Sequence, residues 1–371
     1  MSEQKPDTPW WISDYQPTQI PESRPQRGVT LIAVTMAVIA GIIGSVIGRA
    51  TANLHTQTNL VASSSTIERA PDSIAAIAAR VSPSVVSIKV STPNGGDTGS
   101  GFFIASNGYI LTNNHVVSAA ANGGGTIRAN LVNGKSYPAS LVGRDVAYDL
   151  AVIKISKGNL PEIVIGDSSK IAVGDPVVAI GSPLGLASTV TSGIVSALNR
   201  PVTTGTQGSE SYVDAIQTDA AINPGNSGGA LLDGSGRIIG VNSAIATLSS
   251  GQSGSIGLGF SIPINEAKRT IDELIATGKS TRPVLGVFFD TTYTGNGAKI
   301  AKLSPGEGAE KAGIPAGSVI RSIDGIRIVD NVAAIVKIRS YAPGSKVSVG
   351  VDLPSGGSKT FTVTLGSAPS N

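Results

Sequence analysis

Residues 223–231 of this chain read Asn-Pro-Gly-Asn-Ser-Gly-Gly-Ala-Leu, and this stretch decides how the rest of the sequence is interpreted. Ser227 lies at its centre, with glycine at positions 225, 228 and 229. Glycine adopts backbone dihedral angles that are closed to other residues, so the amides of Gly225 and Ser227 can point towards one place. Such amides, together with a neighbouring base, activate a serine, so Ser227 is a candidate nucleophile. The alternative is a glycine-rich turn between two strands.

A histidine decides between these two interpretations, and the chain contains only 2. His55 follows an apolar span and lies in a polar linker. His115 lies near the end of residues 108–117, which are predicted to form a strand that runs into a turn. His115 is therefore the only credible general base for Ser227.

The order of these residues along the chain distinguishes between serine hydrolase folds. Residues 225–229 satisfy the pattern Gly-x-Ser-x-Gly of α/β-hydrolases, but that fold places its histidine after the serine, and no histidine follows Ser227. The order His, Asp, Ser is that of double-barrel enzymes, so the acid is expected between the two. Asp149 is preferred because it opens a buried strand at 150–155, and Asp145 is the reserve. The other candidates are Asp167, Asp175, Asp214 and Asp219.

Three motifs, in the right order, closely resemble the HtrA (Deg) family of trypsin-like serine proteases. They are Thr112-Asn113-Asn114-His115-Val116-Val117, Tyr148-Asp149-Leu150-Ala151-Val152 and Gln217-Thr218-Asp219-Ala220-Ala221-Ile222-Asn223-Pro224-Gly225-Asn226-Ser227-Gly228-Gly229. The resemblance covers roughly residues 70–367. It implies a mostly β protein with a chymotrypsin-like double six-stranded β-barrel protease domain, a PDZ domain and one preceding transmembrane helix. The expected catalytic triad is His115, Asp149 and Ser227, and the expected oxyanion hole is Gly225, Asn226 and Ser227.

The last part of the sequence, residues 284–367, resembles the circularly permuted PDZ domain that follows the protease domain in this family. In such a domain a loop of backbone amides holds the terminal carboxylate of a peptide, and the peptide adds a strand to a sheet edge. A helix at about 330–339 would line the groove. The residues predicted to bind the peptide are Val284, Leu285, Gly286, Val287, Val332 and Val336.

Residues 28–48 form an uncharged apolar span that is long enough to cross a bilayer core of about 30 Å. Arg24 and Arg27 precede the span and only Arg49 follows closely, which favours a cytoplasmic N-terminus. The alternative is a cleavable signal peptide, but its apolar region is usually only about 7–15 residues long. We therefore expect a single-pass anchor in the cell membrane, with the catalytic and PDZ domains on the extracytoplasmic side.

Composition narrows the function classes. The chain has 0 cysteines and 2 histidines, so it forms no disulfide, and neither a metal site nor a cofactor is expected. The net charge is only +3, without a basic run, which argues against a nucleic-acid partner. The expected division is a disordered cytoplasmic tail at 1–27, the transmembrane helix at 28–48, a linker at 49–66, the protease domain at 67–277, a linker at 278–283 and the PDZ domain at 284–367.

Substrate preference is predicted from Ala221, which lies 6 residues before Ser227. Chymotrypsin-like enzymes that cut after Arg or Lys have an aspartate at this position, so a basic side chain would find no counter-charge here. The residues expected to form a small, mostly apolar pocket are Ala221, Ile222, Val241, Ser243 and Ile245. Such a pocket selects small aliphatic residues, which become accessible in unfolded or damaged proteins.

The expected partners are therefore unfolded protein substrates, C-terminal peptides at the PDZ domain and the membrane. The family is commonly homotrimeric, with aromatic residues near the start of the protease domain at the threefold axis. Residues 60–90 contain no aromatic residue, so the sequence leaves the homotrimer open as one alternative for the assembly. The competing hypothesis is a non-catalytic, membrane-tethered PDZ adaptor or chaperone, which would have no need of the complete triad.

Overall fold

The computed structural model describes residues 27–52, 69–93, 95–121, 124–183, 188–204, 210–243, 255 and 257–370. The chain divides into an N-terminal unit that ends at Ile67 and a second unit that begins at Glu68. The predicted N-terminal tail, apart from Arg27, and most of the predicted linker at 49–66 lie outside the described residues.

The N-terminal unit contains one long helix, α1 (Arg27–Ala52). Within it, Thr30–Ala50 is 21 residues long with a mean hydropathy of 2.4, which meets the length and composition of a membrane span. A helix of this length rises about 30 Å, close to the thickness of a bilayer core. A signal sequence near an N-terminus satisfies the same criteria.

The first barrel closes six antiparallel strands in the order β1-β2-β3-β6-β5-β4. These strands are β1 (Val85–Ser91), β2 (Thr98–Phe103), β3 (Tyr109–Thr112), β4 (Thr126–Leu131), β5 (Ser136–Asp145) and β6 (Leu150–Ile155). Helix α2 (Ile74–Val81) and a short 3-10 helix (Ser82–Ser84) lead into the barrel, and α3 (Asn114–Ala121) follows β3. Ser73 caps α2, because its hydroxyl accepts the Ala76 N–H at 3.3 Å.

The second barrel also closes six strands, in the order β10-β11-β12-β9-β8-β7. They are β7 (Pro176–Gly181), β8 (Thr189–Thr204), β9 (Ser211–Thr218), β10 (Ala230–Asp233), β11 (Ile238–Ser243) and β12 (Gly259–Pro263). Helix α4 (Ile264–Thr277) follows. The helix begins at Ile264, directly after Pro263, and the Asn265 side-chain amide donates to Asp167 Oδ1 at 2.8 Å.

One apolar cluster joins the two barrels and the helices around them. It includes Ile77 from α2, Leu150 from the first barrel, Val241 from the second and Leu274 from α4. Full burial of such a side chain contributes about 1.5–3 kcal/mol, so the barrels are fixed against each other by many apolar contacts. The predicted double six-stranded barrel is confirmed.

The C-terminal domain has its own apolar core, with Ile300, Ile320 and Val349 fully buried. Its elements are β13 (Ser280–Val284), β14 (Val287–Phe289), β15 (Ala298–Leu303), α5 (Gly308–Lys311), β16 (Val319–Ile323), β17 (Ile326–Arg327), α6 (Asn331–Arg339), β18 (Lys346–Asp352), β19 (Ser358–Thr364) and β20 (Gly366–Ser370). A sheet runs β14-β15-β16-β18-β19, and β13 pairs with β20. This arrangement is consistent with a PDZ domain.

The segment predicted as a linker, 278–283, mostly belongs to strand β13. Its antiparallel partner β20 lies at the far end of the chain, with Ser280 opposite Ser370. A short polar segment is read as a linker when its partner is that distant in sequence, so this boundary was predicted wrongly. The C-terminal domain therefore begins at β13 and continues beyond residue 367.

Candidate active site

Asp149 lies in the turn between β5 and β6, beside the N-terminus of α3. Its φ of 53° falls in the left-handed region, which few residues other than glycine adopt. The Asp149 main-chain oxygen accepts from the Asn113 side-chain amide at 2.9 Å and from the Asn114 N–H at 3.1 Å. Asp149 Oδ1 accepts the His115 N–H at 3.0 Å. Amides in the first turn of a helix have no partner within it, so Asp149 caps α3.

His115 is the second residue of α3, rather than part of a turn as the sequence predicted. Its Nδ1 lies 2.8 Å from Asp149 Oδ2 and 3.0 Å from Asp149 Oδ1. An ionised carboxylate can only accept hydrogen bonds, so Nδ1 carries the proton and Nε2 of the neutral ring keeps its lone pair. The His115 side chain is 24% exposed, whereas that of Asp149 is 4% exposed. The pair therefore offers a basic nitrogen to solvent and a buried carboxylate behind it.

The reserve candidate Asp145 serves another purpose. It is fully buried, its Oδ1 accepts the Tyr148 N–H at 3.1 Å and its Oδ2 accepts the Ser280 hydroxyl at 2.6 Å. Burial raises the pKa of its carboxyl group, although these hydrogen bonds act in the opposite direction. Asp149 is thus the carboxylate that meets His115, and Asp145 supports the turn that carries it.

Ser227 lies in a glycine-rich loop that is fixed to both barrels. Its carbonyl oxygen accepts the Ser100 N–H at 2.8 Å, and the next amide, of Gly228, donates to Asn242 O at 2.9 Å. Gly228 has a φ of 81°, and a Cβ there would collide with the carbonyl oxygen of Ser100. Only glycine fits this position, as the sequence pattern indicated.

The Ser227 loop also lies close to the helix that carries His115. A Cβ placed on Gly99 would be 2.6 Å from Val116 Cγ2 and 3.2 Å from Ser227 O. Val116, the neighbour of His115, and the Ser227 carbonyl therefore both lie against Gly99 of strand β2. The structure brings together the elements of all three residues expected to form the triad.

The loop geometry favours Gly225 and not Asn226 as an oxyanion donor. Gly225 has a φ of 96°, and no described residue accepts a hydrogen bond from its amide. Asn226 is 2% exposed; its main-chain N–H donates to Asn223 O at 2.9 Å and its side-chain amide to Ala221 O at 3.4 Å. The donors of Asn226 are therefore directed into the loop itself, and the composition of the oxyanion hole stays a prediction.

The residues predicted for the substrate pocket lie in different surroundings. Ile222 and Val241 are fully buried and belong to apolar clusters of the barrels, so they do not line an open pocket. Ser243 is 5% exposed and borders a small cavity beside Phe260, and Ala221 is half-buried. Ile245 lies outside the described residues. The composition of the pocket stays a prediction.

A groove in the C-terminal domain accounts for most of the predicted peptide-binding residues. This groove encloses about 760 Å³ between strand β14 and helix α6. Its lining includes Val284, Leu285, Gly286, Val287, Val332, Ile335 and Ile338. On α6 the lining follows the i, i+3 row 332, 335 and 338, whereas Val336 is buried outside it, so the groove does not support the predicted contribution of Val336. The set of peptide-binding residues stays a prediction.

Ser100 connects the two barrels at the site, although none of the sequence motifs above includes it. Its hydroxyl donates to Gly225 O at 2.6 Å and accepts the Ser182 N–H at 2.8 Å. Its carbonyl oxygen accepts the Thr112 hydroxyl at 2.7 Å. The available signal was the pattern Gly99-Ser100-Gly101, since glycines on both sides of a strand residue indicate close approach of other chain segments.

Among the described residues, no group of three or more His, Cys, Asp or Glu could hold a metal ion. The side chains that the sequence singled out at this site are a serine, a histidine and a carboxylate. A hydroxyl beside a neutral imidazole, with the far ring nitrogen bonded to a buried carboxylate, can attack an acyl carbon.

Comparisons with known proteins agree with this chemistry. Residues 99–241 match the trypsin-like peptidase domain family. The serine protease PepD of Mycobacterium tuberculosis is 44% identical over 95% of this chain and 81% of its own length. The periplasmic pH-dependent serine endoprotease DegQ of Escherichia coli is 41% identical, over 74% of this chain and 60% of its own length. The solved structure of the HtrA-type protease AlgW with a tripeptide has 36% identity and a TM-score of 0.60, covering 80% of this chain and 98% of that one.

Replacement of Ser100 by alanine tests the connection between the barrels. Ser100→Ala removes one hydrogen-bond partner each from Gly225 O and the Ser182 N–H, which should lower the free energy of unfolding by about 1–3 kcal/mol. It should also slow covalent labelling of Ser227 by about tenfold or more, because Gly225 is no longer held. Urea denaturation and the labelling rate measure both effects. Ser140→Ala is the control, because the Ser140 hydroxyl is exposed and makes only a 3.4 Å bond; equal results for the two variants would contradict the prediction.

Proposed function

We infer the function of this chain from the HtrA family of serine endopeptidases, to which it belongs by sequence and by fold. Its specific role is proposed to be that of a membrane-anchored endopeptidase that cleaves unfolded or damaged extracytoplasmic proteins after small aliphatic residues. The observation that carries the proposal is the 2.8 Å bond between His115 Nδ1 and Asp149, next to the loop of Ser227.

In the proposed mechanism Ser227 Oγ attacks the carbonyl carbon of a peptide bond while His115 Nε2 takes its proton. The amides of Gly225 and Ser227 hold the negative oxygen of the tetrahedral intermediate. His115 then gives the proton to the leaving amine, and water completes hydrolysis of the acyl-enzyme by the same route. Asp149 keeps the ring in the required tautomer and stabilises its cationic form.

The triad is tested with the full chain in detergent, a fluorophosphonate probe and unfolded casein. Ser227→Ala and His115→Ala should abolish both labelling and cleavage, because they remove the nucleophile and its base. Asp149→Asn should lower kcat by about 10⁴-fold, because an amide stabilises the wrong tautomer. His55→Ala is the matched control, since it removes the other histidine, and it should keep full activity.

Cleavage by the Ser227→Ala variant would contradict the assignment of the nucleophile. A wild-type chain that neither cleaves nor reacts would instead support a non-catalytic adaptor. The cleaved casein also reports substrate preference, because mass spectrometry identifies the residue before each cut. Val, Ala, Ile and Thr should predominate there. Ala221→Asp should move cleavage towards Arg and Lys, whereas the uncharged Ala221→Asn should not.

We assign the groove of the C-terminal domain to peptides with a free, apolar C-terminus. Strand β14 lies at the edge of its sheet, so an extended peptide can pair with it. No described residue accepts a hydrogen bond from the amides of Leu285 or Gly286, which are therefore available for a carboxylate. Val332 and Ile335 provide an apolar wall on α6.

Fluorescence anisotropy with a labelled peptide ending in valine tests this assignment. The free-acid peptide should bind, and the same peptide with an amidated C-terminus should bind at least about tenfold more weakly, because it lacks the charge that the loop amides hold. Val332→Asp should also weaken binding, since it places a charge in the apolar wall. Equal affinity for the two peptides would contradict a terminal-carboxylate site.

The proposed topology places residues 1–26 in the cytoplasm and everything after α1 outside. It is supported by the length of the Thr30–Ala50 span and by the periplasmic names of several relatives.

Because the chain has 0 cysteines, single cysteines can report the topology. A membrane-impermeant maleimide should label Ser355→Cys, at an exposed position, in cells with an intact cytoplasmic membrane, and should label Ser2→Cys only after lysis. Loss of residue 2 from the mature chain would indicate a cleaved signal peptide instead. Labelling of Ser2→Cys in intact cells would reverse the topology.

A further inference from the structure

Arg339, the last residue of α6, is a buried cation at the contact between the C-terminal domain and the barrels. It is 8% exposed, and burial lowers the pKa of its guanidinium group. None of the ion pairs in the described part of the chain includes it. Burying a charge is unfavourable, and the nearby carboxyl group of Asp145 only partly offsets the lowered pKa of Arg339. The hydrogen bonds of Arg339 should therefore reveal its role.

These hydrogen bonds reach the two residues that immediately precede Asp149. Arg339 Nη1 donates to Ala147 O at 2.8 Å. The Tyr148 hydroxyl donates to Arg339 O at 2.8 Å. Tyr148 is fully buried and Ala147 is 5% exposed, so water does not readily replace either bond. The guanidinium also lies 4.8 Å from the ring centroid of Tyr212, a position typical of a cation–π contact.

The turn at 145–149 is held from several sides. The Ser211 hydroxyl donates to Val146 O at 2.5 Å and the Tyr212 N–H to Ala147 O at 3.1 Å. Ala147 O thus accepts two hydrogen bonds, one from the second barrel and one from Arg339. The turn must hold Asp149 at its φ of 53°, and such a conformation persists only when its surroundings enforce it.

We propose that Arg339 is a positioning residue for Asp149: from the C-terminal domain, it fixes Ala147 and Tyr148 and thereby the carboxylate that orients His115. The inference rests on the proposed triad. Helix α6 would then border the peptide groove and also support the turn that carries Asp149, because Arg339 lines the groove as well. The C-terminal domain would then supply part of the support of the active site.

Lys337, on the same helix, offers a control that distinguishes positioning of Asp149 from docking of α6 onto the second barrel. Burial raises the pKa of Asp214 and Glu266 in the second barrel and α4, and the charge of Lys337 counteracts both rises. Lys337 is thus electrostatically coupled to both carboxyl groups, and none of the hydrogen bonds described for the turn at 145–149 comes from it. Loss of Lys337 should weaken docking, whereas loss of Arg339 should disturb the turn.

Steady-state kinetics of the full chain in detergent give the first test. Arg339→Gln should lower kcat by about 10- to 100-fold, since small displacements of a catalytic group have effects of this size. KM for a peptide substrate should change by less than about twofold, because ground-state binding is unaffected. Arg339→Lys, which keeps the charge and a donor, should recover part of kcat, and Lys337→Gln should retain it.

Nuclear magnetic resonance of histidine labelled with ¹⁵N gives the second test. The proton between His115 Nδ1 and Asp149 should resonate downfield, and the signal should weaken or vanish in Arg339→Gln but persist in Lys337→Gln. Thermal unfolding shows whether Arg339→Gln folds. If it does not, Tyr148→Phe replaces it in both tests. This variant removes only the bond to Arg339 O and the acceptor of one Arg269 hydrogen bond.

The outcomes separate the two proposals. If Asp149→Asn keeps full activity, the proposed triad itself is wrong. If Asp149→Asn is inactive while Arg339→Gln keeps its kcat and its downfield signal, the triad stands and the role of Arg339 is overturned. An equal loss of kcat in Arg339→Gln and Lys337→Gln would also overturn it, because docking of the helix would then explain both.

Discussion

The hydrogen bonds between Asp149 and the start of α3 are the constraint on which the rest of the active site depends. One carboxylate accepts both the main-chain N–H and the ring Nδ1–H of His115, so the helix and its imidazole are oriented together. Each bond to a charged group contributes about 1.5–3 kcal/mol. The left-handed conformation of Asp149 costs about 1–3 kcal/mol, so two such bonds are sufficient to offset it.

The nucleophile is held by a different device. Ser227 belongs to the second barrel, but its carbonyl and that of Gly225 accept hydrogen bonds from Ser100 in the first. The main-chain N–H and the short hydroxyl of Ser100 make these two bonds. The loop therefore has little freedom to move, because no long, flexible side chain lies between the two barrels here. Gly228 completes the arrangement, since any Cβ there would press against the Ser100 carbonyl. The two halves of the site are therefore fixed by backbone geometry, with the apolar cluster between the barrels behind them.

The resemblance carried by the three motifs was sufficient for the barrels, and the order of residues along the chain was sufficient for the choice of Asp149 and His115 as partners. Local sequence patterns were less reliable. They failed where a residue's partner is distant in the chain. The segment around His115 looked like a turn because its cap, Asp149, lies 34 residues further on. Strand β13 looked like a linker because its partner begins at Gly366. Asn226 looked like an oxyanion donor because sequence does not show that its donors meet Asn223 and Ala221.

The supports of the two catalytic elements differ in where they come from. The Ser227 loop is bonded to Ser100 of the first barrel and to Asn242 of the second. The turn before Asp149 takes some of its bonds from the C-terminal domain, through Arg339 and through Ser280 of β13. A buried cation is a poor choice if stability alone is required, since an apolar side chain of similar size often serves as well or better. The hydrogen bond from the Arg339 guanidinium fixes the orientation of the Ala147 carbonyl group, which a non-directional apolar contact would not do. The proposed route from α6 to the active site therefore runs through Ala147 and Tyr148 to the acid of the proposed triad.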